Sequence, residues 1–249
     1  MKQVRTKAQQ QVRMRWGNIV RMYKVLSPYL KYAFEQKTNK QSDYNIFVKR
    51  NTKECPIYLS KNEIERGACV VAPYQVSLGS LQTIVTKGEG ATRTTDIALG
   101  DLVIDQTTTI GSFANAVVNN NIDYDYDDVL SFIYTTQYIN EENGIPYVKC
   151  TSSKVKLIKG STEKLWDIVD KHGFISNDGF LANSDNGTEG GFVWIHSRNK
   201  GGNKKVSSQT MIVNNSILEE YTSDDAYQRA VATYGGDSSV FLYPSDNEV

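Results

Sequence analysis

The chain predicts an α+β fold: basic helices at the amino-terminal end, then a mainly antiparallel sheet or sandwich with short helices inserted. Three observations predict it. Apolar residues recur every three or four positions in the opening stretch, whereas short β-branched and aromatic runs between glycine turns dominate afterwards. The two parts also differ in charge. Residues 1–53 hold 13 Lys or Arg against only Glu35 and Asp43, a net of +11. Because the whole chain balances 28 basic against 28 acidic side chains, the remainder carries the opposite charge. Helices first and strands later favour α+β over a repeating βαβ arrangement. The expected division is a basic helical arm, 1–53, and a strand-rich body, 54–249.

Each element has a local reason. From Val4 to Val25, Val12, Trp16, Ile19 or Val20, Tyr23 and Leu26 recur at three and four to make one helical face, with Arg13, Arg15, Arg21 and Lys24 between them. Gly17 inside this helix costs about 1 kcal/mol against Ala, which points to a close helix contact there. Ser27-Pro28 ends it and starts a second short helix carrying Tyr29, Leu30, Ala33 and Phe34. Ser42 caps a third, with Tyr44, Phe47 and Val48 inward. After residue 53, Pro56–Leu59 reads as a strand, and Ser60-Lys-Asn-Glu63 as a capping box for a short helix stopped by Gly67. Ala68–Ser77 is an apolar run that Pro73 demotes to an edge, bulge or bend.

Further strands are expected at Thr83–Lys87, Thr94–Leu99 and Leu102–Ile104, then a short helix over 112–120 capped by Ser112. Val129–Ile139 and Pro146–Ile158 read as partner strands across a turn at Asn140–Gly144. Ser161–Val169 reads as a capped amphipathic helix. Gly191–Ser197 and Val206–Asn214 flank the segment 198–205, expected as a hairpin with an exposed basic tip. Ser223-Asp-Asp225 caps a helix through Thr233, closed by Gly235-Gly236, and Val240–Tyr243 reads as a last strand.

The chemistry suggested is sparse. Cys55, Cys69 and Cys150 are scattered and odd in number, so neither a disulfide framework nor a CxxC metal knuckle is indicated, and a reducing compartment fits. No apolar run approaches the roughly 18 residues of a spanning helix, and no apolar h-region opens the chain. Cys150 and His172 form the nearest thiol–imidazole pair in sequence, the basis of an alternative reading as a Cys/His-dependent enzyme. Ordinary packing explains Cys150, and a helix terminus explains His172. His196 alternates with Trp194 in a strand without a second metal ligand nearby. The acidic run Asp123-Tyr-Asp-Tyr-Asp-Asp128 lacks the glycine and glutamate of an EF-hand loop and reads as a solvated turn, or as a receiver for a neighbouring subunit's basic arm. The glycine pairs match no nucleotide-binding loop. No catalytic, cofactor or metal site is expected.

The basic arm therefore carries the functional expectation: Arg5, Lys7, Arg13, Arg15, Arg21, Lys24 and Lys31 dock on an acidic protein surface or on packaged or bound nucleic acid. No RRM, KH, zinc-finger or helix-turn-helix pattern accompanies them. The runs Gln10-Gln-Val-Arg-Met-Arg-Trp16, Tyr29-Leu-Lys-Tyr-Ala-Phe-Glu35, Ser42-Asp-Tyr-Asn-Ile-Phe-Val48 and Val70-Val-Ala-Pro-Tyr-Gln-Val-Ser-Leu-Gly-Ser-Leu81 resemble uncharacterised proteins of gut Bacteroidales and their phages. Val206-Ser-Ser-Gln-Thr210 is loosely similar to their closing strands. The resemblance implies a bacterial or phage origin and a non-enzymatic role, and it transfers no functional residue. The combined expectation is an oligomeric structural or assembly protein, a phage virion component, located in the virion or the bacterial cytoplasm. A cytoplasmic nucleic-acid-associated accessory protein is the alternative.

Overall fold

Helix α1 (Lys7–Leu26) forms where the three- and four-residue spacing places it, and it buries Ile19, Met22 and Leu26. The structure, a computed structural model, describes residues 7–35, 37, 40–54 and 56–234. Gly17 is where Ile64 packs onto α1, and a Cβ there would lie 2.4 Å from the Ile64 side chain. The helix expected over 29–34 does not form. Tyr32 adopts φ of 65°, a left-handed conformation incompatible with helix continuation, and Phe34 makes a lone bridge to Leu78. Helix α2 (Asp43–Asn51) begins at Ser42, whose hydroxyl accepts from the Asn45 amide. Helix α3 (Lys61–Arg66) has the expected reciprocal Ser60–Glu63 box, and Gly67 closes it at φ of 88°.

The apolar run after Gly67 is extended, yet only β1 (Gln75–Ser77) is a paired strand. Buried side-chain amides take the place of a neighbouring strand. Asn18 accepts from the Val70 amide at 2.7 Å and donates to the Val70 carbonyl at 2.9 Å. Asn51 does the same for Gln75, at 2.7 and 3.0 Å. Gln137 accepts from the Val71 amide at 2.8 Å and donates to the Cys69 carbonyl at 3.2 Å. Buried backbone groups need partners, and three amide side chains supply them here.

Strands β2 (Thr86–Lys87) and β3 (Arg93–Ala98) precede helix α4 (Ile110–Asn120). Thr109 caps α4, with Ser112 as its reciprocal partner, so the cap lies three residues before the expected one. Strands β4 (Val129–Ile139) and β5 (Pro146–Lys156) pair along their whole length, from Val129 opposite Lys156 to Ile139 opposite Pro146. The helix expected over 161–169 is reduced to a 3-10 turn, Leu165–Asp167, followed by another at Lys171–Gly173. The backbone of this stretch is already committed to the start of α4: Ile110 donates to Glu163, and Leu165 to Thr108. Next come β6 (Ile175–Asn177), β7 (Phe180–Asn183), β8 (Gly190–Lys200), β9 (Asn203–Val206), β10 (Gln209–Thr210), β11 (Ile212–Asn214), α5 (Ile217–Thr222) and α6 (Asp224–Thr233). Ser223 caps α6 as expected. Pro56–Leu59 and Leu102–Ile104 form no paired strand. Val240–Tyr243 and Gly235-Gly236 lie outside the described residues.

The main sheet runs β11-β8-β4-β5, with β9 paired to β8, and every pairing in it is antiparallel. A smaller sheet runs β2-β3-β7-β6, and β1 pairs with β10. These sheets and the helix that leads into them make the chain α+β. Both faces of β4 and β8 are covered, which is why their sequences are nearly continuous apolar runs and not strictly alternating. Ile133, Val193 and Ile195 face one core, shared with α1, α2 and residues 68–76. Leu130, Phe132 and Trp194 face the other, shared with α4, β3 and β7. The packing is thus continuous across residue 53, where the charge changes.

Candidate functional site

Cross-strand register builds a cleft at one end of the main sheet. Lys156, Val129, Ser197 and Val206 stand opposite one another in a row across β5, β4, β8 and β9. The adjacent row is Lys154, Ser131 and Ile195. Directly opposed residues share a face of the sheet, so the small side chains of Val129, Ser131 and Ser197 form a floor between lysine-bearing strands. The loop after α1 forms the opposite wall through Tyr29, Lys31, Tyr32 and Ala33. The cavity has a volume of about 370 Å³. Its lining includes six cations, Lys31, Lys154, Lys156, Arg198, Lys204 and Lys205, but one carboxylate, Asp127.

The wall is anchored. The Tyr29 hydroxyl donates to the Cys150 carbonyl at 2.9 Å, Leu78 donates to the Ala33 carbonyl, and Glu35 accepts from the Val206 amide. Tyr32 is 48% exposed. Three ammonium groups surround its ring: Lys204 at 3.2 Å from the centroid, Lys31 at 5.4 Å and Lys37 at 5.7 Å. A non-glycine residue in the left-handed region costs on the order of 1 kcal/mol or more. The surrounding anchors hold Tyr32 in that conformation.

Beside the cleft lies a buried ionic cluster. Asp128 is 1% exposed, and its carboxylate accepts from His196 Nε2 at 2.8 Å and from Arg198 at 2.8 and 2.7 Å. Tyr124 stacks on the His196 ring, with centroids 4.3 Å apart. Burial alone would raise the Asp128 pKa, but the hydrogen bonds from Arg198 and His196 outweigh it and hold the carboxyl at about 2. Arg198 and Lys200 also reach Asp125, and Lys156 pairs with Asp127 at 2.7 Å. The acidic run is therefore not a solvated turn throughout. Its carboxylates at 125, 127 and 128 are engaged by cations of this same chain, so the basic hairpin is tied down at Arg198 and Lys200.

The seven cations singled out in the sequence are dispersed. Arg5 lies outside the described residues, and Lys7 opens α1. Arg13 and Lys24 are exposed, whereas Arg15 and Arg21 are half-buried. Arg15 lies over Tyr58 at 6.0 Å, and the Arg21 guanidinium packs against Gly67. Arg13, Arg21 and Lys24 border an open groove of about 470 Å³ with Trp16, Val20, Ile64 and one carboxylate, Glu65, which pairs with Lys61 at 3.7 Å. Lys31 belongs to the sheet cleft instead. The other cleft cations went unselected because their neighbourhood depends on strand register, although Lys154-Val-Lys156 already has the spacing of one strand face.

Cys150 and His172 have different partners. His172 Nδ1 lies 2.9 Å from the Ser184 hydroxyl, the Cys150 thiol contacts the Thr151 carbonyl, and burial pushes that thiol up to about 12. Among the described residues, no group of three or more His, Cys, Asp or Glu is placed to hold a metal ion, and no helix is long and apolar enough to cross a membrane. No protein-family model, curated protein or solved structure matches the chain.

Proposed function

We propose that the chain is a non-enzymatic structural or assembly protein, a virion component of a phage of gut Bacteroidales, that works as an oligomer by docking its cationic α1 flank on an acidic subunit surface. The supporting observation is the groove along α1. Trp16, 44% exposed, is bordered there by Arg13, Arg21 and Lys24, none within salt-bridge distance of a carboxylate among the described residues. The one carboxylate of the groove among the described residues, Glu65, is paired with Lys61. An exposed aromatic ring beside three cations without an ion-pair partner there suits an acidic protein partner, with the indole as anchor and the charges as rim. Light scattering during size exclusion at low and high salt tests this. Assembly beyond the monomer is expected at low salt, weaker in high salt and lost in an Arg13→Glu, Lys24→Glu double variant. A wild-type monomer at every salt concentration overturns it.

The second reading, a cytoplasmic nucleic-acid-associated accessory protein, draws on the lysine-lined sheet cleft. The Cys/His enzyme alternative draws no support from a thiol held protonated beside its own backbone.

A further inference from the structure

Among the cleft cations, Lys156 and Arg198 are compensated by aspartates, but Lys31, Lys154, Lys204 and Lys205 have no carboxylate partner among the described residues. Lys31, Lys154 and Lys204 come from three elements, the loop after α1, β5 and β9, and meet at one cavity, while Lys205, opposite Arg198 and so on the alternate face of β9, borders its rim. Placing like charges together around a concavity is unfavourable unless an anion completes the arrangement. We propose that this cleft is a binding site for a ligand with two or more adjacent phosphates, either a free nucleoside di- or triphosphate or the backbone of a nucleic-acid strand.

Charge and size select that chemistry. A single carboxylate offsets one of four ammonium groups, whereas a di- or triphosphate carries a comparable opposite charge in a compact chain of acceptor oxygens. Lysines bind phosphate as mobile point charges, and hydroxyls such as Ser131 and Ser197 on the floor add neutral donors. The volume of about 370 Å³ is at the lower end for small-ligand pockets. Tyr32 acts as a positioning residue: its ring holds the Lys204 ammonium at 3.2 Å, on a loop fixed by the Tyr29–Cys150 hydrogen bond. This site shares no lining residue with the α1 groove, so it stands independently of the assembly proposal.

Equilibrium binding of full-length protein to ATP, inorganic triphosphate, a single-stranded oligothymidylate and poly-glutamate tests the assignment. Triphosphate is expected to bind and to displace whichever nucleotide ligand binds. Displacement of the strand identifies a backbone site; binding of ATP without the strand identifies a free-nucleotide site, and either supports the proposal. A Lys154→Gln, Lys204→Gln, Lys205→Gln variant changes only exposed side chains, so its melting temperature should hold while affinity falls at least about tenfold. If the strand binds, its salt slope should also fall by about 2. Tyr32→Asn, which suits the left-handed backbone, should weaken triphosphate binding about threefold through loss of the cation–π contact, without lowering stability. Arg13→Glu with Lys24→Glu should leave triphosphate binding intact. No phosphate binding by wild type, an unaffected triple-lysine variant, loss of binding in the α1 variant, or equally tight poly-glutamate binding each overturns the proposal.

Discussion

Asp128 illustrates how one side chain resolves a conflict that its sequence neighbourhood hides. Five other acidic or tyrosine residues precede it in the run from Asp123, yet it alone is buried to 1% exposure and linked to both His196 and Arg198. Removing a buried charge while leaving its partners in place is costly. Asp128→Asn is expected to destabilise the protein by about 3 kcal/mol, measurable by urea unfolding at neutral pH. The sign of the pH dependence follows from the lowered carboxyl value. Its folded-state pKa, about 2, lies below the ordinary aspartate value of about 4, so the contribution is complete above that ordinary value and lost as pH falls through 2. The stability gap between wild type and Asp128→Asn should therefore stay constant from neutrality to mildly acidic pH and narrow below about pH 4. A gap unchanged at pH 2 would sink the assignment.

Elements form here for local reasons and are positioned by non-local ones. The α3 box and the caps of α2 and α6 were legible because donor and acceptor lie within three residues of each other. The segment after Gly67, which Pro73 demotes to an edge, bulge or bend, is extended, but its partners are side chains that local pattern does not reveal, with Asn18 reaching Val70 across 52 positions. Asn18→Ala would leave the Val70 amide and carbonyl without their buried partner, at a cost of roughly 1–3 kcal/mol for each group. Thermal unfolding of Asn18→Ala checks this; a melting temperature equal to wild type would refute the role. Helix α1 has two distinct faces. Ile19, Met22 and Leu26 bind it to the core, while Arg13 and Lys24 remain exposed on the flank proposed to dock. Charge reversal of Arg13 and Lys24 should accordingly alter assembly with little change in unfolding free energy, within about 0.5 kcal/mol.

The whole molecule is arranged around a sheet buried from both sides. Strands β4 and β8 connect the core under α1 to the core under α4, so their amides should be the slowest to exchange with deuterium. Slower exchange in β2 or β6, at the rims of the smaller sheet, would contradict this centre. Phe132 touches Phe174, Phe192 and Trp194 in the second core, and Phe132→Ala should cost about 3–5 kcal/mol by chemical denaturation. At this scale the opposite charges of the two sequence segments are redistributed. Aspartates 125, 127 and 128 pair with body cations, leaving both the α1 flank and the sheet cleft basic.

By itself, the sequence determined the α+β order, the long β4–β5 pairing, the principal helix caps and the cationic character of α1, because each depends on neighbours or on a short periodic pattern. Only the tertiary structure decided that residues 29–34 turn, that buried amides replace a strand beside 68–75, and that Asp128 meets His196 across 68 positions. It also decided which lysines share a cavity. Strand register, which depends on the packing of both sheet faces together, brings Lys154 and Lys204 to one cleft, whereas Arg13 and Lys24 follow the outer face of α1 to a separate groove.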